Sequence, residues 1–159
     1  MFLKFNNLAI VIGKAAYDNK NVGTDKAVSF TGFELSGSAA GNYKLITQPA
    51  DTTADITAKE ITINGATVEG SKVYDGTTGA KITSAGTPSE NFDGENLTIV
   101  TGSAAYDNKN VGTGKTVAFT GFALAGDAAV NYKLIAQPTD TTADITVKEI
   151  TINGAAVEA

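Results

Sequence analysis

The chain copies itself. Shifted by 89 residues, positions 8–69 align with 97–158 without a gap, and 48 of those 62 positions are identical. Copying on this period is the mark of a tandem-repeat array, in which each period is one module stacked in line with the next. The segment 71–96 has no counterpart ahead of the first copy, and the closing run KEITINGAAVEA corresponds to the opening of a unit at 59–70. The expected organisation is therefore an incomplete module over 1–59 that lacks its opening strands, a complete 89-residue module over 60–148, and the first strand of a following repeat over 149–159. Such framing is expected of a piece cut from a longer array.

Within the complete unit, runs rich in Thr, Val, Ile, Phe and Tyr recur at 61–63, 72–74, 80–83, 97–101, 116–124, 132–136 and 143–148. These are strand signals. Between them lie Asn64-Gly65, Asp75-Gly76, Asp93-Gly94, Asn110-Val111-Gly112 and Gly126-Asp127, residues that turn the chain by accepting positive φ. No stretch carries a helical period. In KTVAFTGFAL, Val117, Phe119, Phe122 and Leu124 alternate with small or polar residues, and Gly121 is expected to re-phase the pattern as a bulge. About seven short strands predict an all-β fold of tandem antiparallel β-sandwich modules on the immunoglobulin-like plan, with a β-grasp-like mixed sheet as the alternative. The run GDAAVNYKLI, 126–135, resembles the approach to a tyrosine corner, which supports the sandwich.

Charge and missing residue types narrow the function. The net charge is −5 and every basic residue is Lys, so the chain has no guanidinium for phosphate or base edges and no basic cluster. Nucleic acid and membrane insertion are not expected partners. The apolar run LAIVI near the N-terminus is too short for a signal core or a membrane span, and its copy LTIVT marks it as a repeat strand. Without Cys, His or Trp, the chain has no thiolate nucleophile, no common zinc ligand set and no imidazole base. It is not expected to be an enzyme.

The remaining motifs each have a plainer reading. VGTGKT, 111–116, looks like the end of a phosphate-binding loop, but Lys109 stands where the first glycine is required and a strand follows instead of a helix. YDNKNVGTD, 17–25, offers oxygen ligands but puts Lys20 and Val22 where a calcium loop needs others. The calcium candidate is SENFDGEN, where Glu90, Asp93 and Glu95 crowd one loop. Asp51 and Asp55, with their copies Asp140 and Asp144, read as solvated turn residues. Tyr17, Tyr43, Tyr74, Tyr106 and Tyr132 recur once per motif, which suits core anchors whose hydroxyls pin loops better than an aromatic sugar platform.

KVYDGTT at 72–78, then AYDNKNVGTGKTVAFTGFALAGDAAVNYKL and TADITVKEITI, resembles the YDG repeat family of bacterial secreted and surface proteins. The resemblance covers nearly the whole chain, and its naming motif is Tyr74-Asp75-Gly76. Its later motif reads SAAGNY in the first copy and DAAVNY in the second, with Val130 in place of a turn glycine. Membership implies strings of modules in filamentous-haemagglutinin-like adhesins, an extracellular or cell-surface location and no enzymatic activity. The expected function is a structural spacer whose partners are neighbouring repeats or other copies of itself; the alternative is a module that binds a host surface or glycan. If the first module lacks its opening strands, the closing segment of another chain is expected to complete it, building a filament by strand complementation.

Overall fold

The computed structural model describes residues 7–92, 94–154 and 157. It separates into two compact units, Met1–Ala58 and Lys59–Ala159. The described residues form an all-β fold with several antiparallel sheets. Apart from strands they hold two single-turn 3-10 segments, and no helix among them is long and apolar enough to cross a membrane.

The first unit contains β1 (Ala9–Val11), β2 (Lys14–Tyr17), β3 (Gly23–Thr31), β4 (Glu34–Ser36) and β5 (Thr52–Ile56). The second contains β6 (Lys59–Ile61), β7 (Ile63–Val68), β8 (Ser71–Val73), β9 (Gly79–Ala80), β10 (Ile82–Pro88), β11 (Thr98–Val100), β12 (Ser103–Tyr106), β13 (Gly112–Thr120), β14 (Ala123–Ala125), β15 (Tyr132–Leu134) and β16 (Thr141–Thr146). In the second unit one five-stranded sheet runs in the order β8-β16-β13-β12-β9, beside the pairs β7–β10, β11–β14 and β6–β15.

Alternation builds the core. Successive side chains on a strand point to opposite faces, so Ala104 and Tyr106 on β12, Val117 and Phe119 on β13, and Ala143 and Ile145 on β16 all reach one face of the five-stranded sheet. All six are buried, and Ile63 and Phe122 join their cluster. Ala66, Val68, Ile82 and Ala85 of the antiparallel β7–β10 pair pack against it. A second cluster gathers Ile61, Leu97, Ala128 and Tyr132, with Leu124 and Ala129 against it.

The strand expected over 116–124 is broken. Gly121 has φ +74° and lies between β13 and β14, with its Cα facing Gly102 across the hairpin. A Cβ on Gly102 would stand 2.0 Å from the Thr120 carbonyl oxygen, so both chains turn this corner only as glycine. The corner carries the chain from the five-stranded sheet into the β11–β14 pair. Phe122 sits just past the break, and its N–H donates to Gln137 Oε1 at 2.7 Å while Gln137 Nε2 donates to its carbonyl at 3.1 Å. The Gln137 side chain thus supplies the ladder partner that the break removes. Gln137→Ala leaves both backbone groups of a buried residue unpaired and is expected to cost about 1–3 kcal/mol, read from urea unfolding followed by circular dichroism.

Asn64-Gly65 is not a turn. Gly65 has φ +75° inside β7, opposite Gly86 of β10, and the antiparallel pairing continues past both. Two pairings are parallel, β6 with β15 and β8 with β16, which extends the purely antiparallel plan. Val130 lies within the 3-10 segment Ala129–Asn131 and outside the positive-φ region, as its counterpart Gly41 does within Ala40–Asn42, so a β-branched side chain is tolerated there.

The first unit repeats part of this plan. β2-β3-β5 forms a three-stranded sheet with the register of β12-β13-β16, and β1–β4 repeats β11–β14. Its described residues contain no counterpart of β6 to β10.

Candidate functional site

The Tyr-Asp-Gly motif follows β8 and leads to β9, the two edge strands of the five-stranded sheet. Asp75 Oδ1 accepts from the Thr77 N–H at 2.9 Å and from Thr77 Oγ1 at 2.8 Å, a side-chain-closed turn that Gly76 completes with φ +81°. Lys72, two residues before Tyr74, directs Nζ into this turn and donates to Asp75 Oδ1, the Thr77 carbonyl and the Gly79 carbonyl, each at 2.9 Å. The same ammonium lies 5.4 Å from the centre of the Tyr106 ring on β12. Four strand spacings in a flat sheet amount to about 19 Å, far beyond the reach of one lysine. The sheet therefore curls, and Lys72 holds β8 and β9 together at its mouth. Tyr74 N–H donates to the Thr146 carbonyl at 2.9 Å and Tyr106 N–H to the Thr78 carbonyl at 2.8 Å, tying both ends of the turn to the sheet.

Tyr106 is buried and its hydroxyl donates to the Asp144 carbonyl at 3.1 Å, spanning β13. Burial first, then the nearby carboxylates of Asp144 and Glu69, push its phenol above the usual range and keep it neutral. The Asp144 carboxylate in turn accepts from Gly114 N–H at 2.8 Å, where β13 bulges between Gly112 and Lys115. The segment 111–116 is thus a bulged strand start: Lys115 Nζ pairs with Asp107 at 2.8 Å and with Asn108 Oδ1 at 2.9 Å. In the first copy Asp25 occupies the Gly114 position at φ +49° and makes the same bond, its N–H to Asp55 Oδ1 at 2.9 Å.

The acidic loop is held by protein groups. Glu90 pairs with Lys59 at 2.7 Å, and Glu95 Oε2 accepts from the Tyr132 hydroxyl at 2.6 Å, which itself accepts from Phe92 N–H at 3.2 Å. Asp93 lies outside the described residues. Among the described residues no three acidic, His or Cys side chains gather as a metal would require. Tyr132 is buried and anchors this loop, while Tyr74 packs on the main core.

The turn carboxylates predict an acid limb in stability. Hydrogen bonds from the Thr77 backbone, then the Lys72 ammonium and the Thr77 hydroxyl, hold the Asp75 carboxyl at about 2, below the 3.8 of a free side chain. Asp107 and Asp18 are lowered as well, chiefly by Lys115 and Lys26. Because the unfolded chain binds more protons in this window, the contribution is complete above about pH 4 and is lost as pH falls towards 2. Asp75→Asn is expected to flatten part of that limb in thermal melts between pH 4 and 2. An unchanged slope would mean that the turn carboxylate is not coupled to folding.

The same tyrosines stand in different surroundings in the first unit. Tyr17 and Tyr43 are 41% and 55% exposed, against 4% and 6% for their copies Tyr106 and Tyr132. Tyr17 keeps its bond to the Asp55 carbonyl at 3.3 Å. In the first unit an apolar groove is open. One part, about 380 Å³, is lined by Ile10, Phe33, Leu35, Leu45 and Gln48 among others, and an adjoining part by Leu8, Ala9, Ile10 and Leu35. Their copies Leu97, Ile99, Phe122, Leu124 and Leu134 pack in the clusters that Ile61 and Ile63 complete.

The comparisons agree with this two-unit reading. The YDG domain matches residues 3–54 and again 57–143. The chain belongs to the YDG domain family. In family terms, the named motif of this YDG chain fastens two sheet edges, and Lys72, which the three-residue name omits, makes most of the bonds. Its position on the same strand face as Tyr74 was the only sequence signal for that part. No curated protein and no solved structure matches the chain.

Proposed function

We propose that this YDG chain is a non-catalytic structural repeat, a spacer in a bacterial secreted or cell-surface adhesin. The observation that carries the reading is the use of the motif residues: Lys72, Asp75 and Thr77 bond one another and the backbone, and the hydroxyls of Tyr106 and Tyr132 are occupied internally. Charged side chains arranged in this way fix a backbone and leave no general base or nucleophile poised toward a cleft. Near-identical copying on an 89-residue period suits a role in which length matters and every module does the same work. The extracellular setting rests on the family resemblance and on the absence of cysteine, which suits bacterial surface repeats.

The test is geometric. Small-angle scattering on the full chain, and on versions with the 60–148 unit duplicated in place once and twice, is expected to show the maximum dimension growing by a constant increment per copy. Growth that instead follows the cube root of mass would contradict a spacer.

A further inference from the structure

Three strands of the second unit form one path. Only Thr62 separates β6 from β7, and only Glu69-Gly70 separates β7 from β8, so residues 59–73 run as a nearly unbroken series of strands. Both ends of this path pair in parallel with strands from the closing part of the unit. β6 lies beside β15, with Lys59 opposite Tyr132 and Ile61 opposite Leu134, and β8 lies beside β16, with Ser71 opposite Asp144 and Val73 opposite Thr146. Backbone bonds brace both pairs: Ile135 N–H donates to the Ile61 carbonyl at 3.0 Å, Asp144 N–H to the Gly70 carbonyl at 2.9 Å and Tyr74 N–H to the Thr146 carbonyl at 2.9 Å. Ile61 and Ile145 are 2% and 1% exposed, so neither pair slides without drawing a fully buried side chain out of its core.

Direction decides how such pairs meet tension. When the unit is pulled at Lys59 and beyond Thr146, β6 and β8 are drawn toward their N-terminal ends, β15 and β16 toward their C-terminal ends. In a parallel pair these pulls act from opposite ends, so all its bonds are loaded together. In an antiparallel pair they would act from the same end and break the bonds one after another. We propose that the complete unit is a load-bearing module, in which tension entering at Lys59 and leaving at Thr146 is carried in shear by β6–β15 and β8–β16. This deepens the structural-repeat reading and rests on it, adding resistance to pulling to the role of setting length. Side chains cross the same two seams: Lys133 pairs with Glu60 at 3.1 Å, and Thr146 Oγ1 donates to the Lys72 carbonyl at 3.3 Å. Rupture under force follows the unfolding rate and not the equilibrium stability, so a clamp of this kind acts even in a marginally stable module.

The native chain has no cysteine, so engineered thiols define the pulling points on the full chain. For single-molecule force spectroscopy, handles are attached through Lys59→Cys with Lys148→Cys, or through Lys109→Cys with Lys148→Cys; all three lysines are exposed, so folding is preserved. The second geometry keeps the exit but enters at the turn ahead of β13. There Gly112 lies opposite Ile145 at one end of the antiparallel β13–β16 pair, so pulling peels the strands apart. At one loading rate the first geometry is expected to rupture at a force at least about threefold higher than the second, because its backbone hydrogen bonds must fail together. Equal forces in the two geometries, or a first geometry that yields at the lower force, would overturn the proposal. Neither result alters the scattering increment, which reports length alone, so failure here is separable from failure of the spacer reading.

Discussion

Ile61→Ala is expected to destabilise the complete unit by about 2–5 kcal/mol, whereas Ile150→Ala, at the same place in the repeat, is expected to change stability by no more than about 0.5 kcal/mol in dilute solution. The residues and their neighbours in sequence are identical, KEITING in both copies. What differs is burial, 2% against 82%. Removing three carbons from Ile61 leaves a void among Leu97, Leu124, Ala128 and Tyr132, and lining atoms of a packed core relax only partly into it. Chemical denaturation of the full chain at low concentration measures both. Equal costs would mean that β6 contributes nothing that its sequence copy at 148–152 does not.

Phe119→Ala is expected to cost about 3–5 kcal/mol, the largest effect of any single truncation in the main core. Its ring is 3% exposed and meets Phe122 edge-on, 5.7 Å between centres at 88°. Such a contact adds about 0.5–1.5 kcal/mol beyond burial. The counterpart Phe30 meets Phe33 in the same manner, 6.0 Å at 79°, but is only partly buried, so Phe30→Ala is expected to cost distinctly less. The comparison isolates the covering layer, since sheet, register and aromatic pair are shared. A protease-resistance assay on both variants, resolved by fragment mass, reports each unit separately.

The inward alternation on β13 was legible because it is local, whereas β12, Ser103–Tyr106, was not among the expected strands. Period-two patterns survive any choice of partner strand, and the 89-residue shift shows which positions must behave alike. The β7–β10 pairing was not legible, because Asn64-Gly65 carries the chemistry of a two-residue turn, yet Gly65 holds its positive φ within β7, in regular register opposite β10. The parallel pairs were hidden for another reason: Ile61 and Leu134 are partners 73 residues apart in the chain, and nothing near either names the other. Gln137 gave no signal, since a glutamine before a proline reads as loop until the break at Phe122 needs it. At the candidate site the three named residues stood out, but Lys72 is recognisable as their fastening only once the sheet is seen to curl. The acidic loop attracted attention through its carboxylates, and the structure shows Glu90 and Glu95 held by Lys59 and Tyr132.

The central claim is that the opening segment, β6 to β10, turns a repeated sheet into a closed module. Hydrogen exchange on the dilute full chain tests it most directly, because β3 and β13 share nearly one sequence and both are paired on two sides. Amides of β13 are expected to exchange at least about 30-fold more slowly than those of β3, equivalent to about 2 kcal/mol. Equal protection in the two strands would contradict the claim.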